Sequence, residues 1–522
     1  MILRTLIFIV LLLLPCLSNS QVVHQMQFDR FSHYAPEDWV TYAPATHISS
    51  IDIGDDYVYF GTRAGGILRY HFYDRFWDYP ITTSTGLRSN RIIKITFDEE
   101  SRHLYVETPK GIDEYSPLLG YSQPAYVEAL PARRQPLTGE KDLSEQAQTF
   151  QFPEFYRPGN QELPDFFTKR GFIFKAPNEI IDPFNRKYNI LSERVVDKSG
   201  NLWLSTNGLG VGFSELNTWS LQTSQRSIPN ILVHDVFLEK DGIWIGGSAT
   251  KRKPSGIAFW NDSSDDWAFT ESRYNYNINS DNVYAITGNG SFVFFATDMG
   301  IQRYDKKKNT WSTLNSYWQL SSINVNDLLI FEDNLFIATE YGMGWMPVGS
   351  DFIERPRDKT LNNTPVTKIT AVDSTLLLAT SYGVYEYSPE SDNFSFVEMK
   401  SALPHYDISA VKSSGDSVWI AGSSGIALYN HKKDRWQSFT QLQSRLSAEF
   451  NDINFTPGYV WFASNKGLLR YNIRMDSWYL YTRKDGLASN LVYHIDVDGD
   501  ELWLSTKSGL TIFLWQRPGR IE

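Results

Sequence analysis

The side chains of this sequence that carry the most chemistry are its histidines, its acidic clusters and a few grouped cations. The nine histidines are scattered, without the close His/Cys spacing a zinc site needs. His47, His234 and His494 fall within or beside short apolar runs of one kind, so strands of a repeat would bring them toward a common axis. A place in a core or channel wall is the default for such histidines. Asp496-Val497-Asp498-Gly499-Asp500 has the acidic density of a calcium loop but lacks the later bidentate Glu, and it sits where a strand-to-strand turn is due. Asp197-Lys198-Ser199-Gly200 reads the same way. Glycoside cleavage needs two carboxylates held roughly 5–10 Å apart. Sixty acidic residues offer many pairs, and no local pattern singles one out. There is no Ser-His-Asp signature and no Gly-rich phosphate loop.

Cations give the most local anomaly. Ser248-Ala249-Thr250-Lys251-Arg252-Lys253-Pro254-Ser255 enlarges a turn that is short elsewhere, and Arg63 occupies the corresponding turn of an earlier copy. The candidate ligand-binding residues are therefore Arg63, Lys251, Arg252 and Lys253, a cationic rim suited to an acidic glycan or peptide. A solvated loop is the competing reading. No catalytic residue, metal ligand or cofactor is expected.

The elements that would position these residues come from a repeat. Tyr459-Val460-Trp461-Phe462-Ala463-Ser464-Asn465-Lys466-Gly467-Leu468-Leu469-Arg470-Tyr471 and Asp476-Ser477-Trp478 have near-copies along most of the chain. The marker aromatic or large apolar residue falls at Tyr59, Tyr105, Trp203, Trp244, Phe294, Phe336, Leu377, Trp419, Trp461 and Trp503. The last steps are 42, 41, 42, 42 and 42 residues, and a Gly follows the marker by six in most copies. Such a period belongs to a propeller blade or a helical repeat. Short β-branched runs bounded by turn formers decide for strands, four to a copy.

The ends of the chain predict closure. The last copy stops before its fourth strand, and Asp38-Trp39-Val40-Thr41-Tyr42 is a fourth strand with nothing ahead of it. Residues 38–43 are expected to complete the last blade, which would hide exposed strand edges. The fold is thus an all-β propeller of about ten four-stranded blades over 38–522, closed by an N-terminal outer strand; two smaller propellers on one chain are the alternative. Residues 117–189 interrupt the repeat. Their first part, 131–167, reads as loop with a helical turn or two at 139–148, and 171–182 resembles a worn eleventh copy.

The compartment follows from the N-terminus. Arg4 and the apolar stretch Thr5 to Leu14, with small residues Ser18-Asn19-Ser20, predict a signal peptide over 1–20 and an N-terminal arm over 21–37. Cys16, the only cysteine, gives an outer-membrane lipoprotein as the alternative; otherwise the protein is periplasmic or extracellular, without disulfides or a membrane span in the mature chain. A net charge of −11 without a basic face excludes nucleic acid as a partner.

The run Gly486 to Leu510, with Val492-Tyr493-His494-Ile495-Asp496 and Glu501-Leu502-Trp503-Leu504-Ser505-Thr506, resembles the two-component-regulator propeller repeat. Val196 to Thr206 does so too. The resemblance spans most of 46–515. It implies an extracytoplasmic sensor-type module, often for carbohydrates, here in a stand-alone form without a kinase domain. The expected function is a non-catalytic propeller that binds a glycan or a protein, as sensor or scaffold. The alternative is a polysaccharide hydrolase or lyase with its site at the channel mouth.

Overall fold

The computed structural model describes residues 23–24, 33–132, 163, 166–168, 171–215, 218–228, 232–248, 256–261, 266–314, 320, 322–399, 403, 407–439, 447–517 and 520. The apolar runs are strands, and they assemble into ten sheets. In chain order these are blades 1 (48–81), 2 (94–124), 3 (187–224), 4 (232–270), 5 (283–314), 6 (325–347), 7 (366–396), 8 (408–438), 9 (450–481) and 10 (492–514). The second strand of most blades is buried at five consecutive positions, as in Val460 to Ser464 and Leu502 to Thr506. A strand sandwiched on both faces needs no polar alternation. Some outermost strands, such as Arg435–Ser438 and Asn393–Phe396, are mostly exposed, whereas those of blades 9 and 10 are mostly buried. Turn glycines take the left-handed backbone that the spacing requires. At Gly467 φ is +143°, and a Cβ there would lie 2.1 Å from the Tyr481 carbonyl oxygen.

The expected closure forms. Trp39–Tyr42 is the fourth strand of blade 10, with Trp39 opposite Phe513 and Tyr42 opposite Leu510. Trp39 is fully buried and stacks on Phe513 at 3.8 Å between ring centroids. Gly486 makes room for it, since a Cβ would fall 2.2 Å from Trp39 Cγ. Trp39 and Trp503 nonetheless lie on opposite faces of this sheet. Trp39 packs among Trp461 and Tyr481 of blade 9, while Trp503 packs against Trp260 of blade 4.

That last contact corrects the blade count of the ring. Hydrophobic seams join blades 4 to 5, 5 to 6, 6 to 7, 7 to 8, 8 to 9 and 9 to 10. A seventh seam returns from blade 10 to blade 4 through Val236, Ile245, Trp260, Trp503 and Ile512. The ring therefore closes on seven blades, not ten. Seven twisted sheets already fill the circle, as expected of propellers with four to eight blades.

Blades 1 to 3 form a separate open fan, nearer to the alternative of two groups on one chain. Their spatial order is 3, 1, 2. Trp203 of blade 3 packs on Phe60 and Tyr70 of blade 1, and the other face of blade 1 packs on Leu104, Val106 and Tyr115 of blade 2. Among the described residues no seam joins blade 2 to blade 3. The free flank of blade 3 is covered by Phe166, Phe174 and Ile180. The expected eleventh copy is in fact a hairpin, Ile173–Lys175 and Glu179–Ile181, paired onto the long inner strand of blade 3. Tyr121–Pro124 is the outer strand of blade 2. The helical turns expected at 139–148 lie outside the described residues.

Fan and ring are tied by buried and part-buried polar bonds. Ser84 Oγ lies 2.5 Å from Thr41 Oγ1 and donates to the Gly486 carbonyl at 2.7 Å. The Ala45 amide donates to Ser227 Oγ at 2.7 Å, and Arg186 reaches Glu271 at 3.0 Å.

Candidate binding site on the closed ring

Every inner strand of the ring carries one β-bulge, between Val233 and Asp235 in blade 4 and at the matching place in blades 5 to 10. The extra residue is His234, Tyr284, Asn326, Thr367, Ser409, Asn451 or Tyr493. Bulges re-aim side chains, and here they do so in two ways. In blades 6 to 9 a short polar group crosses to the next inner strand. Asn326 Nδ2 donates to the Val366 carbonyl at 2.9 Å, Thr367 Oγ1 to Ile408 at 3.2 Å, Ser409 Oγ to Phe450 at 2.5 Å and Asn451 Nδ2 to Val492 at 2.7 Å. In blades 10, 4 and 5 the position holds rings. His234 lies 4.9 Å from Tyr493 and 5.6 Å from Tyr284 between centroids, and its Nε2 is 2.5 Å from Ser248 Oγ. Burial lowers the His234 pKa, with Asp235 opposing, so its ring is neutral.

The residue after the bulge supplies an axial ion-pair network. His494 Nε2 is 2.9 Å from Asp235 and its Nδ1 is 2.8 Å from Asp452, so the histidine of blade 10 clasps the blades on either side. Both are ion-pair contacts; Nδ1 is not aligned for a hydrogen bond. Burial works against charging His494, but the two aspartates outweigh it and raise its pKa to about 10. Burial likewise pushes the Asp452 carboxyl up, yet the imidazolium dominates and holds it well below its ordinary value. Lys368 lies 3.4 Å from Asp327. Burial opposes its charge, and Asp327, Asp452 and Asp235 together hold its pKa above the ordinary lysine value. Burial raises the Asp327 pKa, and Lys368 is the main opposing influence.

These carboxylates are already spoken for. Asp235 Oδ2 accepts from the Ile286 amide at 2.6 Å, Asp327 Oδ2 from Ile369 at 2.8 Å and Asp452 Oδ2 from Ile495 at 3.0 Å, each on another inner strand. A general acid or base works best with a pKa near the working pH. His494 at about 10 does not offer that. The network locks sheets together, and buried charge of this kind survives only when fully paired.

The face carrying the turns between second and third strands is built differently. In blades 5, 6, 7, 9 and 10 a Thr or Ser hydroxyl donates across the turn to a glycine carbonyl, as from Thr380 to Gly383 and Ser464 to Gly467 at 2.7 Å. That fixes the turn and turns its middle residues outward. Met299, Tyr341 and Tyr382 stand there on three consecutive blades, 40%, 51% and 63% exposed. Lys466 and Lys507 occupy the same turns of blades 9 and 10 and are exposed.

Arg63 is exposed on the corresponding turn of blade 1, and so belongs to the fan. Lys251, Arg252 and Lys253 lie outside the described residues; the stems of their turn, Ser248 and Gly256, are on blade 4 of the ring. Asp496 is on the inner strand of blade 10, and Asp498-Gly499-Asp500-Glu501 is a turn with Gly499 at φ +54°. Among the described residues no group of three or more His, Cys, Asp and Glu side chains is arranged to hold a metal. Sequence reasoning placed His234 and His494 near the axis but missed Asp235, Asp327, Lys368 and Asp452. The signal was available: 327 to 368 is 41 residues, 368 to 452 is 84 and 452 to 494 is 42, one charged column of the repeat.

No family model and no curated protein matches the chain. Solved structures do. PorZ of Porphyromonas gingivalis, described as an essential bacterial surface component of the type-IX secretion system, superposes with a TM-score of 0.56 at 11% identity, over 91% of this chain and 87% of that one. The extracellular domains of two hybrid two-component systems of B. thetaiotaomicron match at TM-scores of 0.47 and 0.47. Their identities are 16% and 13%, over 92% and 91% of this chain and 76% and 71% of theirs. At 11% identity the PorZ superposition shows a shared fold alone, consistent with the β-propeller sheets described above.

Proposed function

We propose that this chain is a non-catalytic, extracytoplasmic binding propeller that presents the turn-bearing face of its closed ring to a glycan or protein ligand. One observation carries the reading. The axial ion pairs of His494, Asp235, Asp452, Lys368 and Asp327 are consumed in holding sheets together, whereas the turns around the mouth are fixed by hydroxyl–carbonyl bonds and project Met299, Tyr341, Tyr382, Lys466 and Lys507 into solvent. Rigid scaffolds with side chains on short loops are suited to binding. The 251–253 turn is a proposed contributor, and Arg63, on blade 1 of the fan, is a proposed contact outside the ring. Location outside the cytoplasm, with a free or Cys16-anchored N-terminus, belongs to the same proposal; mass spectrometry of the mature N-terminus distinguishes the two.

The test is glycan-array and pull-down binding by the secreted protein, with and without residues 131–167. Retention of a defined ligand that is lost on Tyr341→Ala with Tyr382→Ala, or on reversal of the cations, supports the reading. Binding indifferent to every substitution on this face overturns it. The rival hydrolase or lyase is favoured by one contact, His234 to Ser248. Release of reducing ends or unsaturated products that Ser248→Ala abolishes would establish it instead.

A further inference from the structure

We infer that the turns of blades 9 and 10 form a binding site for an acidic polysaccharide. The inference rests on the binding reading above and names its ligand class and place. Lys466, Arg483, Lys484 and Lys507 are all exposed on the turn-bearing face, and among the described residues none of the four side chains has an ion-pair or hydrogen-bond partner. They are contiguous. Gly467 sits against the Tyr481 carbonyl, the Arg483 amide donates to Asn490 at 2.8 Å, and the Lys507 amide donates to the Leu491 carbonyl at 3.1 Å. Four unpaired cations together run against a chain whose net charge is −11.

The frame beneath them is rigid. Asp485, in the same loop as Arg483 and Lys484, is buried and turned inward. It accepts from the Thr482 amide at 2.7 Å, Thr482 Oγ1 at 3.1 Å and the Tyr479 hydroxyl at 3.1 Å. Its charge shapes the loop from below and leaves the cations outside. Glu449, an exposed acid on the same face, is tied to Asn465 at 3.1 Å.

Two features favour a sugar polymer over an acidic peptide. The Ser464 and Thr506 hydroxyls bond to the Gly467 and Gly509 carbonyls, each 2.7 Å away, so these turns present no open ladder for an extended peptide to pair with. Inward of the cations, Tyr493, His234 and Tyr284 offer half-buried ring faces with polar tips. Flat rings of that kind suit the apolar faces of sugar rings while cations hold the carboxylates.

Polygalacturonate, neutral dextran and poly-L-glutamate serve as probes for the full chain in affinity electrophoresis over a range of salt. Polygalacturonate should be retained at low salt and progressively released as salt screens the contacts. The combined Lys466→Glu, Arg483→Glu, Lys484→Glu and Lys507→Glu variant should bind at least about tenfold more weakly, and the four-Gln version should fall between. Reversal of Lys307 and Lys433, on the opposite face, should change nothing, and a melting curve like that of the parent confirms each variant is folded. Tyr493→Ala should weaken polygalacturonate alone. Failure to retain polygalacturonate at low salt overturns the inference, as does equal loss in the opposite-face control. Equal retention of poly-L-glutamate makes the arc an acidic-peptide site and also overturns it. A neutral glycan that the four-Glu variant still binds would leave the binding reading standing and remove this one.

Discussion

Seven sheets of this chain meet around an axis and three do not, although one repeat wrote all ten. The difference shows in the column just after the inner-strand bulge. In five of the seven ring blades it holds Asp235, Asp327, Lys368, Asp452 and His494, paired across inner strands, and in blades 5 and 8 it holds Ala285 and Ala410. In the fan, blade 1 holds Ser50 there, whose hydroxyl accepts from the Ile95 amide at 3.3 Å; the irregularity of blade 3 ends at Arg194, and the inner strand of blade 2, which has no bulge, begins at the exposed Lys94 with no described blade beyond it. Burial of charge at one position of a repeat is tolerated only where sheets on both sides bring opposite charge to it. Circular closure creates that condition and an open fan lacks it at its end.

The comparison predicts two separable unfolding events, and substitutions that move one but not the other. The largest effect should come from Trp39→Ala. It empties a fully buried site on the strand that completes the ring and should cost about 4–5 kcal/mol in the ring's transition. Guanidinium unfolding followed by hydrogen exchange of ring and fan peptides would separate the two. A shift of both bodies together would mean that they unfold as one unit.

His494→Leu comes next, because it strands two buried carboxylates; about 3–4 kcal/mol of ring stability should go. The same residue gives a pH signature. Its folded pKa is raised from 6.5 to about 10, so folding favours the protonated form. The stabilisation is complete below pH 6.5 and drains away as pH climbs through about 10. Chemical denaturation across that window should show the ring weakening with alkali in the parent and a flatter profile in the variant. A parent profile without slope would contradict the clasp.

The fan has its own ion pair, with the carboxylate buried. Asp113, fully buried, accepts from Arg88 Nε at 2.5 Å and from the Arg88 amide at 3.0 Å. Asp113→Ala should lower the fan transition by about 2 kcal/mol and leave the ring alone. Smallest of all, Ser409→Ala removes one inner-strand staple, worth about 1 kcal/mol, from the ring. Protection of amides near Phe450 would report it.

How much of this was legible beforehand depended on whether a feature was local or cyclic. The strand order within a blade, the turn glycines and the closure through Trp39 follow from spacing alone, because each depends on residues within one repeat or on a missing strand at each end. Ring size did not follow. It is decided by which flank Trp203 and Trp503 present to which neighbour, and both have the same local sequence signature. Trp203 meets blade 1 and Trp503 meets blade 4, contacts that join residues far apart in the chain. His494 could be placed near the axis, but its pairing needed the seam between blades 10 and 4, which only a seven-blade ring creates. For the fan, the hairpin at 173–181 carried the apolar pattern of a blade without the strands to make one.

The order 3, 1, 2 in the fan has a consequence for how such a molecule can be lengthened. Blade 1 sits in the middle, so the stretch of chain between blades 2 and 3 leaves from one outer flank and returns to the other. Added sequence in that stretch would cut no seam of the ring and would leave its latch in place. The arc is an expansion joint: its span can vary while the wheel beside it keeps its count.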